Sequence, residues 1–261
     1  MTDTLSDVER VIQQNAHHLE RLLFVLVGPS GVGKNTIIRE LLATHPEMER
    51  VRTYTTRKKR EDEVDGAQYH FISPQRFLEL ASAGKLMEAD AHKATEILAR
   101  ADLDGLAGSI GIDVYGLGDV YSMPEDLYEE IPPEKHLVIA EVDVNGAELL
   151  RRRYPGCVTI FVTAPPLDLI HRIRERPDGE MNSQKLAQRM KTAHEQVRAA
   201  KEFDYVVFNR KDRLAGTIEG VNSIVMAERM RVRDGFDLEA SLPDDAFDVP
   251  DEDRTTIGHN G

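Results

Sequence analysis

The chain has 261 residues, 41% of them hydrophobic, which is enough for one large domain or for one domain with sub-lobes. The net charge of −13 argues against a nucleic-acid partner, and no apolar run approaches the roughly 18 residues that would span a membrane. The single Cys157 excludes an internal disulfide and a cysteine-built metal site, so we expect a cytoplasmic protein.

Both ends of the chain are expected to lie outside the main domain. Residues 1–20 show a loosely helical spacing of apolar side chains, which predicts an N-terminal helical extension. Residues 233–261 are acidic and poor in apolar side chains, which predicts a disordered tail. The domain itself is therefore predicted over residues 21–232.

The segment LLFVLVGPSGVGKNT, residues 22–36, carries the strongest local signal. Leu22–Val27 is predicted to be a buried strand, and Gly28, Gly33 and Lys34 fit the G-x-x-x-x-G-K pattern of a phosphate-binding loop. Backbone N–H groups, the helix that begins near Lys34 and its ammonium group would bind the phosphates of ATP. The residues predicted to bind ATP here are Gly28, Pro29, Ser30, Gly31, Val32, Gly33, Lys34, Asn35 and Thr36.

Asn35 departs from this pattern, because the motif has Ser or Thr after the lysine as a ligand of Mg²⁺. An amide oxygen can coordinate Mg²⁺ or hold one of its waters, but it is less suited than a hydroxyl. We therefore expect Asn35 to be a weak metal ligand, with Mg²⁺ held mostly by ATP and water. The alternative is that the loop has lost catalysis.

Four short apolar runs alternate with helix-like stretches along the chain. The runs are Leu22–Val27, Leu137–Val142, Val158–Val162 and Tyr205–Phe208. This alternation predicts a parallel, doubly wound α/β sheet. Residues 51–118 fit the rhythm badly, which suggests an inserted lobe of mixed structure.

The segment TYTTRKKREDEVDGAQYHFI, residues 53–72, contains a dense basic cluster, a DG turn and a tyrosine. A solvated charged loop would be the ordinary interpretation of such a run. Together with GPSGVGK, however, the order TTR, EVDG, tyrosine and HFIS resembles the guanylate kinase family over residues 22–228. This resemblance implies a three-layer α/β/α P-loop kinase fold with a parallel core sheet, an inserted mixed α/β monophosphate-binding lobe and a helical lid.

The resemblance assigns roles in the lobe. Arg57 and Arg60 would bind the phosphate of the acceptor monophosphate with their planar donor groups, and Tyr69 would add a hydroxyl. Thr53 would lie beside the base. Glu88 would accept hydrogen bonds from N1–H and the exocyclic amine of guanine, unless it is simply an exposed charge.

One element of the family pattern is displaced in this chain. The tyrosine of the family's tyrosine–glycine–Ser/Thr element is matched to Tyr115, in VYGLG, after an insertion predicted at about 94–111. Leu117 then stands where the family has a hydroxyl that contacts the base. These departures leave the choice of base or sugar open.

Residues at the end of the next predicted strand carry carboxylates. Glu141 and Asp143, in EVDVNGA, resemble the family's strand-end element and would lie near the phosphates, the acceptor or the water shell of Mg²⁺. Capping of the following helix is the alternative role for Asp143.

The segment HRIRERPDGEMNSQKLAQRM resembles the family lid. Arg172, Arg176 and Arg189 would close over ATP and, with Lys34, neutralise charge on the transferring phosphoryl group; solubilising surface charges are the ordinary alternative. Asn209, in FDYVVFNRKD, would lie beside the adenine.

The resemblance implies direct in-line transfer from Mg·ATP to GMP or dGMP, without a nucleophile or general base on the protein. The predicted core covers 21–50, 119–171 and 191–232, the lobe 51–118 and the lid 172–190. We expect nucleotides as partners, no nucleic acid or membrane, and a monomer or homodimer. The alternatives are a related kinase for a modified nucleotide or a sugar phosphate, and a non-catalytic scaffold that binds a phosphorylated peptide.

Overall fold

The computed structural model describes residues 21–61, 63–87, 120–175 and 183–231, and residues Arg21–Arg229 form one compact unit. The predicted N-terminal extension, residues 1–20, and the predicted acidic tail, residues 233–261, lie outside the described residues. Three predicted site residues also lie outside them, namely Glu88, Tyr115 and Arg176.

Five parallel strands form the central sheet, and the predicted fold class is confirmed. These strands are β1 (Leu22–Val27), β2 (Met48–Arg50), β6 (Leu137–Val142), β7 (Val158–Thr163) and β8 (Tyr205–Phe208). Their order across the sheet is β2-β6-β1-β7-β8, and every neighbouring pair is parallel. The sequence patterns predicted four of these strands and missed β2, whose residues Met-Glu-Arg form no apolar run.

Helices cover both faces of this sheet. The helices of the described residues are α1 (Lys34–Thr44), α2 (Pro74–Ser82), α3 (Val144–Arg153), α4 (Pro166–Arg174), α5 (Ser183–Arg198) and α6 (Leu214–Arg229), with a 3₁₀ turn at Ala199–Glu202. Of these, α2 packs in a separate hydrophobic cluster around Phe77, away from the central sheet. On one face Phe24 and Leu26 pack with buried residues of α1 and α6. On the other face Leu23 and Val25 pack with α3. The central strand β1 is therefore buried on both sides, as its uninterrupted apolar sequence predicted.

A second sheet has three strands, of which two lie in the segment 51–118 predicted to be an inserted lobe and the third lies just after it. Its strands are β3 (Thr53–Thr55), β4 (Tyr69–Phe71) and β5 (Tyr121–Ser122), in the order β4-β3-β5. β3 pairs in parallel with β4 and antiparallel with β5. Helix α2 follows β4 and begins with a Ser73 side chain that accepts a hydrogen bond from the Arg76 backbone N–H.

The topology brings several predicted site residues to one edge of the central sheet. Gly28 follows β1, Asp143 follows β6 and Asn209 follows β8, so all three lie at carboxyl ends of parallel strands, where open α/β sheets bind ligands. Within the described ranges, no helix is long and apolar enough to cross a membrane.

Candidate active site

A cavity of about 540 Å³ lies between the glycine-rich loop and the three-stranded sheet. Its volume falls in the range typical of small-molecule sites, and cationic side chains dominate its wall over carboxylates. The cations that line it are Lys34, Arg57, Arg60, Arg172, Arg210 and Lys211, and the carboxylates are Glu141, Asp143 and Asp212. Such a wall suits a ligand that carries several negative charges.

The glycine-rich loop needs glycine at positions where the backbone turns sharply. Gly28 has a φ of 147°, and a Cβ atom added there would lie 2.1 Å from the Val162 carbonyl oxygen. Gly33 has a φ of 97°, and a Cβ there would lie 2.6 Å from Asn209 Nδ2. The loop is thus held close to both β7 and the end of β8.

The nine loop residues predicted to bind ATP differ in their relation to the cavity, and Gly28, Pro29 and Val32 are not among the residues that line it. Ser30, Gly31, Gly33, Lys34, Asn35 and Thr36 line the cavity. Val32 instead has a fully buried side chain, and its carbonyl oxygen accepts hydrogen bonds from Asn209 Nδ2 at 2.7 Å and Arg172 Nη1 at 3.2 Å. The side chain of Val32 therefore anchors the loop to the core.

The Lys34 ammonium group is held over its own loop. Its Nζ donates to the carbonyl oxygens of Gly28 at 2.8 Å and Pro29 at 3.3 Å, and it lies 3.6 Å from Glu141 Oε1. A phosphate oxygen entering the loop would exchange for these carbonyls as the partner of the ammonium group.

A buried arginine that the sequence patterns missed, Arg50, lies behind the cavity wall and contacts Asn35. Arg50 Nη2 donates to Asn35 Oδ1 at 2.8 Å and to Glu141 Oε2 at 2.7 Å. Asn35 and Glu141 were predicted as direct or water-mediated metal ligands, but the structure directs the oxygens of both toward cations. The described residues contain no group of three or more His, Cys, Asp or Glu side chains that could hold a metal.

Asp143 has the capping role that was the alternative interpretation. Its Oδ1 accepts a hydrogen bond at 2.8 Å from the backbone N–H of Gly146 in the first turn of α3. Asp143 also lines the cavity, so capping fixes a carboxylate at the edge of the site.

The Arg57 guanidinium group, predicted to bind phosphate, forms most of its hydrogen bonds with other residues of the protein. Arg57 Nη1 and Nη2 donate to the two carboxylate oxygens of Glu63 at 2.9 and 2.7 Å, and its Nε donates to the Tyr121 hydroxyl at 3.1 Å. Nη1 also donates to the Lys58 carbonyl, so one of the five N–H groups of Arg57 remains for a ligand. Binding of the acceptor phosphate by Arg57 stays a prediction, in which this one N–H group can take part without breaking the pairing with Glu63.

Glu63 organises both predicted phosphate-binding arginines. Its side chain is 6% exposed, accepts the Arg60 backbone N–H at 2.8 Å, and lies 3.6 Å from Arg60 Nη1. Burial alone would raise the pKa of Glu63, but hydrogen bonds from Arg57 and Arg60 lower it below its ordinary value. Glu63 is therefore ionised at neutral pH and holds Arg57 and Arg60 in place beside the cavity.

Two tyrosines and Thr53 complete the wall on this side. Tyr69 and Tyr121 both line the cavity, and their rings meet edge to face with centroids 6.0 Å apart. Burial, with Glu141 adding to it, raises the pKa of Tyr69, so its phenol stays a neutral donor. Thr53 is nearly buried and lines the same cavity.

The described lid arginines differ in their relation to the cavity. Arg172 lines it and also donates to the backbone oxygens of Val32 and Asn209. Arg189 is half-buried in α5 and is not among the described residues that line the cavity. The buried Asn209 fastens the glycine-rich loop, and the residues after it, Arg210 and Lys211, extend the cavity wall.

The sequence of this chain is similar to known proteins of one family. The family model described as guanylate kinase matches residues 20–99 and 118–228. A guanylate kinase of Symbiobacterium thermophilum is 35% identical over 222 residues, which cover 85% of this chain and 92% of that protein. A guanylate kinase of Lactobacillus johnsonii is 34% identical over 213 residues, covering 81% of this chain and 91% of that protein.

The fold agrees with a solved structure. The crystal structure of guanylate kinase from Anaplasma phagocytophilum superposes with a TM-score of 0.54 at 21% identity, covering 81% of this chain and 87% of that one. This similarity supports the fold alone.

The family match also bears on the predicted insertion and its tyrosine. The match stops at residue 99 and resumes at residue 118, so it leaves out Tyr115 and Leu117 and includes Tyr121. The unmatched stretch overlaps the insertion predicted at about 94–111. Tyr121 in VYSMP was missed because VYGLG, six residues earlier, resembles the family element more closely.

Proposed function

Because the chain belongs to the guanylate kinase family, we propose that it transfers the γ-phosphoryl group of ATP to GMP or dGMP. The observation that carries this proposal is that one cavity joins the glycine-rich loop to the Arg57–Tyr69–Tyr121 cluster. A donor and an acceptor nucleotide bound at these two walls would bring their phosphates together between them.

On the donor side, the backbone N–H groups of the loop and the Lys34 ammonium group bind the β- and γ-phosphates of ATP. Arg172 already bridges the loop and Asn209, so it closes this wall at a fixed distance from the loop backbone. Arg176 and Arg189 remain predicted partners of the phosphates that become engaged on lid closure.

On the acceptor side, the remaining N–H of Arg57, the side chain of Arg60 and the hydroxyls of Tyr69 and Tyr121 bind the phosphate of the monophosphate. We propose Tyr121 in the role first given to Tyr115, because Tyr121 lines the cavity and lies within the family match. Thr53 and Glu88 are proposed to contact the guanine base.

The reaction needs alignment and charge neutralisation more than proton removal, because the attacking phosphate oxygen is already ionised. Cations on both walls oppose the negative charge of the three phosphates that meet in the transition state. Water is excluded by closure of the lobe and lid, which limits hydrolysis of ATP.

We propose that Mg²⁺ enters bound to ATP and keeps phosphate oxygens and water as its ligands. When bound it neutralises charge on the β- and γ-phosphates. Asn35 and Glu141 do not fit a direct ligand role, since a guanidinium group faces the oxygen of each. A cytoplasmic location remains a prediction from the lone Cys157.

The proposal is tested by measuring kcat/KM for GMP, dGMP, AMP, IMP and a sugar phosphate with Mg·ATP in an ADP-release assay. GMP or dGMP is expected to be the best acceptor, and Lys34→Ala is the inactive control. A best rate with AMP would contradict the role of Glu88, and a best rate with the sugar phosphate would contradict the proposed acceptor class.

A further inference from the structure

Arg50 is a charged side chain in the core of the site. It ends β2 and is 4% exposed, between the glycine-rich loop and the second sheet. Its Nη2 contacts Asn35 Oδ1 and Glu141 Oε2, and its guanidinium carbon lies 5.8 Å from the centroid of the Tyr69 ring. Glu141 is shared with Lys34, so one carboxylate positions both cations.

The contact with Arg50 determines which way the Asn35 amide faces. A guanidinium group has only donors, so the atom of the amide that faces it must be the oxygen. The reverse orientation would set Nδ2–H against a buried N–H and leave both donors unsatisfied, which is costly. Arg50 therefore holds Asn35 Oδ1 on the side of the core.

The polar group that Asn35 can present to the cavity is then Nδ2. Asn35 lines the cavity directly after Lys34, in the first turn of α1, where donors and positive charge converge. Nδ2 carries two N–H groups and no free lone pair, so it suits a phosphate oxygen and cannot ligate a metal ion.

We infer that Asn35 binds a phosphate oxygen of ATP through Nδ2, and that Arg50 is the positioning residue that imposes this orientation. The inference rests on the proposed binding of ATP in this loop. The residue at this position ligates Mg²⁺ in the general motif, whereas here it donates a hydrogen bond directly to the phosphate. Arg50 also contacts the Tyr69 ring, which belongs to the acceptor side of the cavity.

Two measured quantities distinguish a side chain that donates a hydrogen bond to the phosphate from one that ligates the metal ion. The first is the Kd of ATP in excess EDTA, which reports contacts of the protein with the nucleotide alone. The second is the ratio of the Kd in EDTA to the Kd in excess MgCl₂, which reports contacts of the protein with the metal. A hydrogen-bond donor to the phosphate affects the Kd in EDTA, whereas a protein ligand of Mg²⁺ affects the ratio of the two Kd values.

The test is isothermal titration of the full chain with ATP under both conditions. Asn35→Ala is expected to raise the Kd in EDTA by about tenfold, the loss expected for one hydrogen bond to a charged acceptor, and to leave the Mg²⁺ ratio unchanged. An unchanged Kd in EDTA, or a fall in the ratio, would overturn the inference.

The positioning role of Arg50 has its own variants. Arg50→Met is expected to raise the Kd in EDTA as Asn35→Ala does, and to add nothing further in the Asn35→Ala background, because both changes remove one oriented amide. Arg50→Lys keeps a donor toward Oδ1 and should stay within about threefold of wild type. Additive losses, or a loss in Arg50→Lys equal to that in Asn35→Ala, would overturn the positioning role.

Arg39→Met is the matched control, because Arg39 lies on α1 with an exposed side chain paired to Glu40. If Arg50→Met fails to fold, Asn35→Ala and Arg50→Lys still decide the inference. GMP phosphorylation by the wild-type chain is measured separately. Its absence would refute the proposed function, whereas the ATP titrations would still decide the role of Asn35.

Discussion

Replacing Glu63 with glutamine should weaken both the lobe and its affinity for GMP. The Glu63 carboxylate accepts two hydrogen bonds from Arg57 and one from the Arg60 backbone, all at 2.7 to 2.9 Å. Glutamine keeps the size and one acceptor oxygen but turns an NH₂ group toward a guanidinium N–H. Arg57 would then lose its fixed position beside the cavity.

The structure sets the expected size of this effect. Glu63 and Arg57 are 6% and 11% exposed, so solvent screens their pairing little. Breaking a buried ion pair costs about 3 to 5 kcal/mol, and the retained acceptor reduces this to roughly 2 to 3 kcal/mol. For a domain of this size the expected fall in Tm is roughly 5 to 10 °C, with a KM for GMP raised about tenfold.

Thermal unfolding and initial rates at varied GMP measure these changes, and Glu61→Gln is the matched control because Glu61 is exposed. The folded-state pKa of Glu63 lies below its ordinary value of 4.5, so the stabilisation is complete at neutral pH and is lost as the pH falls through that lowered pKa. The Tm gap between the two variants should therefore close in acid. Equal Tm and KM values for Glu63→Gln and Glu61→Gln at pH 7 would show that the Glu63–Arg57 pair neither stabilises the domain nor positions Arg57 for GMP.

Three further predictions test the glycine-rich loop and the core. Lys34→Ala should lower kcat at least about 100-fold through lost phosphate stabilisation, and activity within threefold of wild type would show that the ammonium group is dispensable. Gly28→Ala should lower the Tm by several degrees, because its Cβ would lie 2.1 Å from the Val162 carbonyl oxygen, whereas Gly156→Ala meets nothing within 4 Å. Burial raises the pKa of Cys157 to about 11, so iodoacetamide should modify it at pH 7 at least tenfold more slowly than in urea; equal rates would contradict this burial.

Local patterns were enough to predict four strands of the central sheet and the glycine-rich loop. The apolar run Leu22–Val27 and the glycines after it have one compatible structure, since the loop must turn sharply against β7. The same holds for β6 and β7, whose apolar sequences follow from burial within the sheet. The edge strand β8 was also predicted from its apolar run, although Val206 and Phe208 are exposed.

The missed residues are buried through ion pairs that local sequence patterns do not reveal. Arg50 looks like a surface charge in a short polar segment, and its burial is explained only by Asn35 and by Glu141, which is 91 positions away. Glu63 lies in a run of charges, where nothing local distinguishes the one carboxylate that pairs with Arg57. Such side chains are buried because of tertiary pairing, which hydrophobic periodicity does not report.

The role given to Tyr115 stays a prediction, because Tyr115 lies outside the described residues. Tyr115 and Tyr121 both follow a valine, and an insertion of uncertain length precedes them. The local resemblance favoured Tyr115, whereas pairing of β5 with β3 brings Tyr121 to the Arg57 guanidinium. Register across an insertion is set by strand pairing rather than by the short motif alone.

The proposed transfer of the γ-phosphoryl group from ATP to GMP is tested most directly by following that group with a radioactive label. Purified protein is incubated with γ-³²P-labelled ATP, MgCl₂ and GMP, and the labelled products are separated by chromatography. We expect the label to appear in GDP, at a rate that depends on GMP, and this transfer to be lost in Lys34→Ala. Label recovered only as inorganic phosphate, or not transferred from ATP at all, would contradict the proposed transfer.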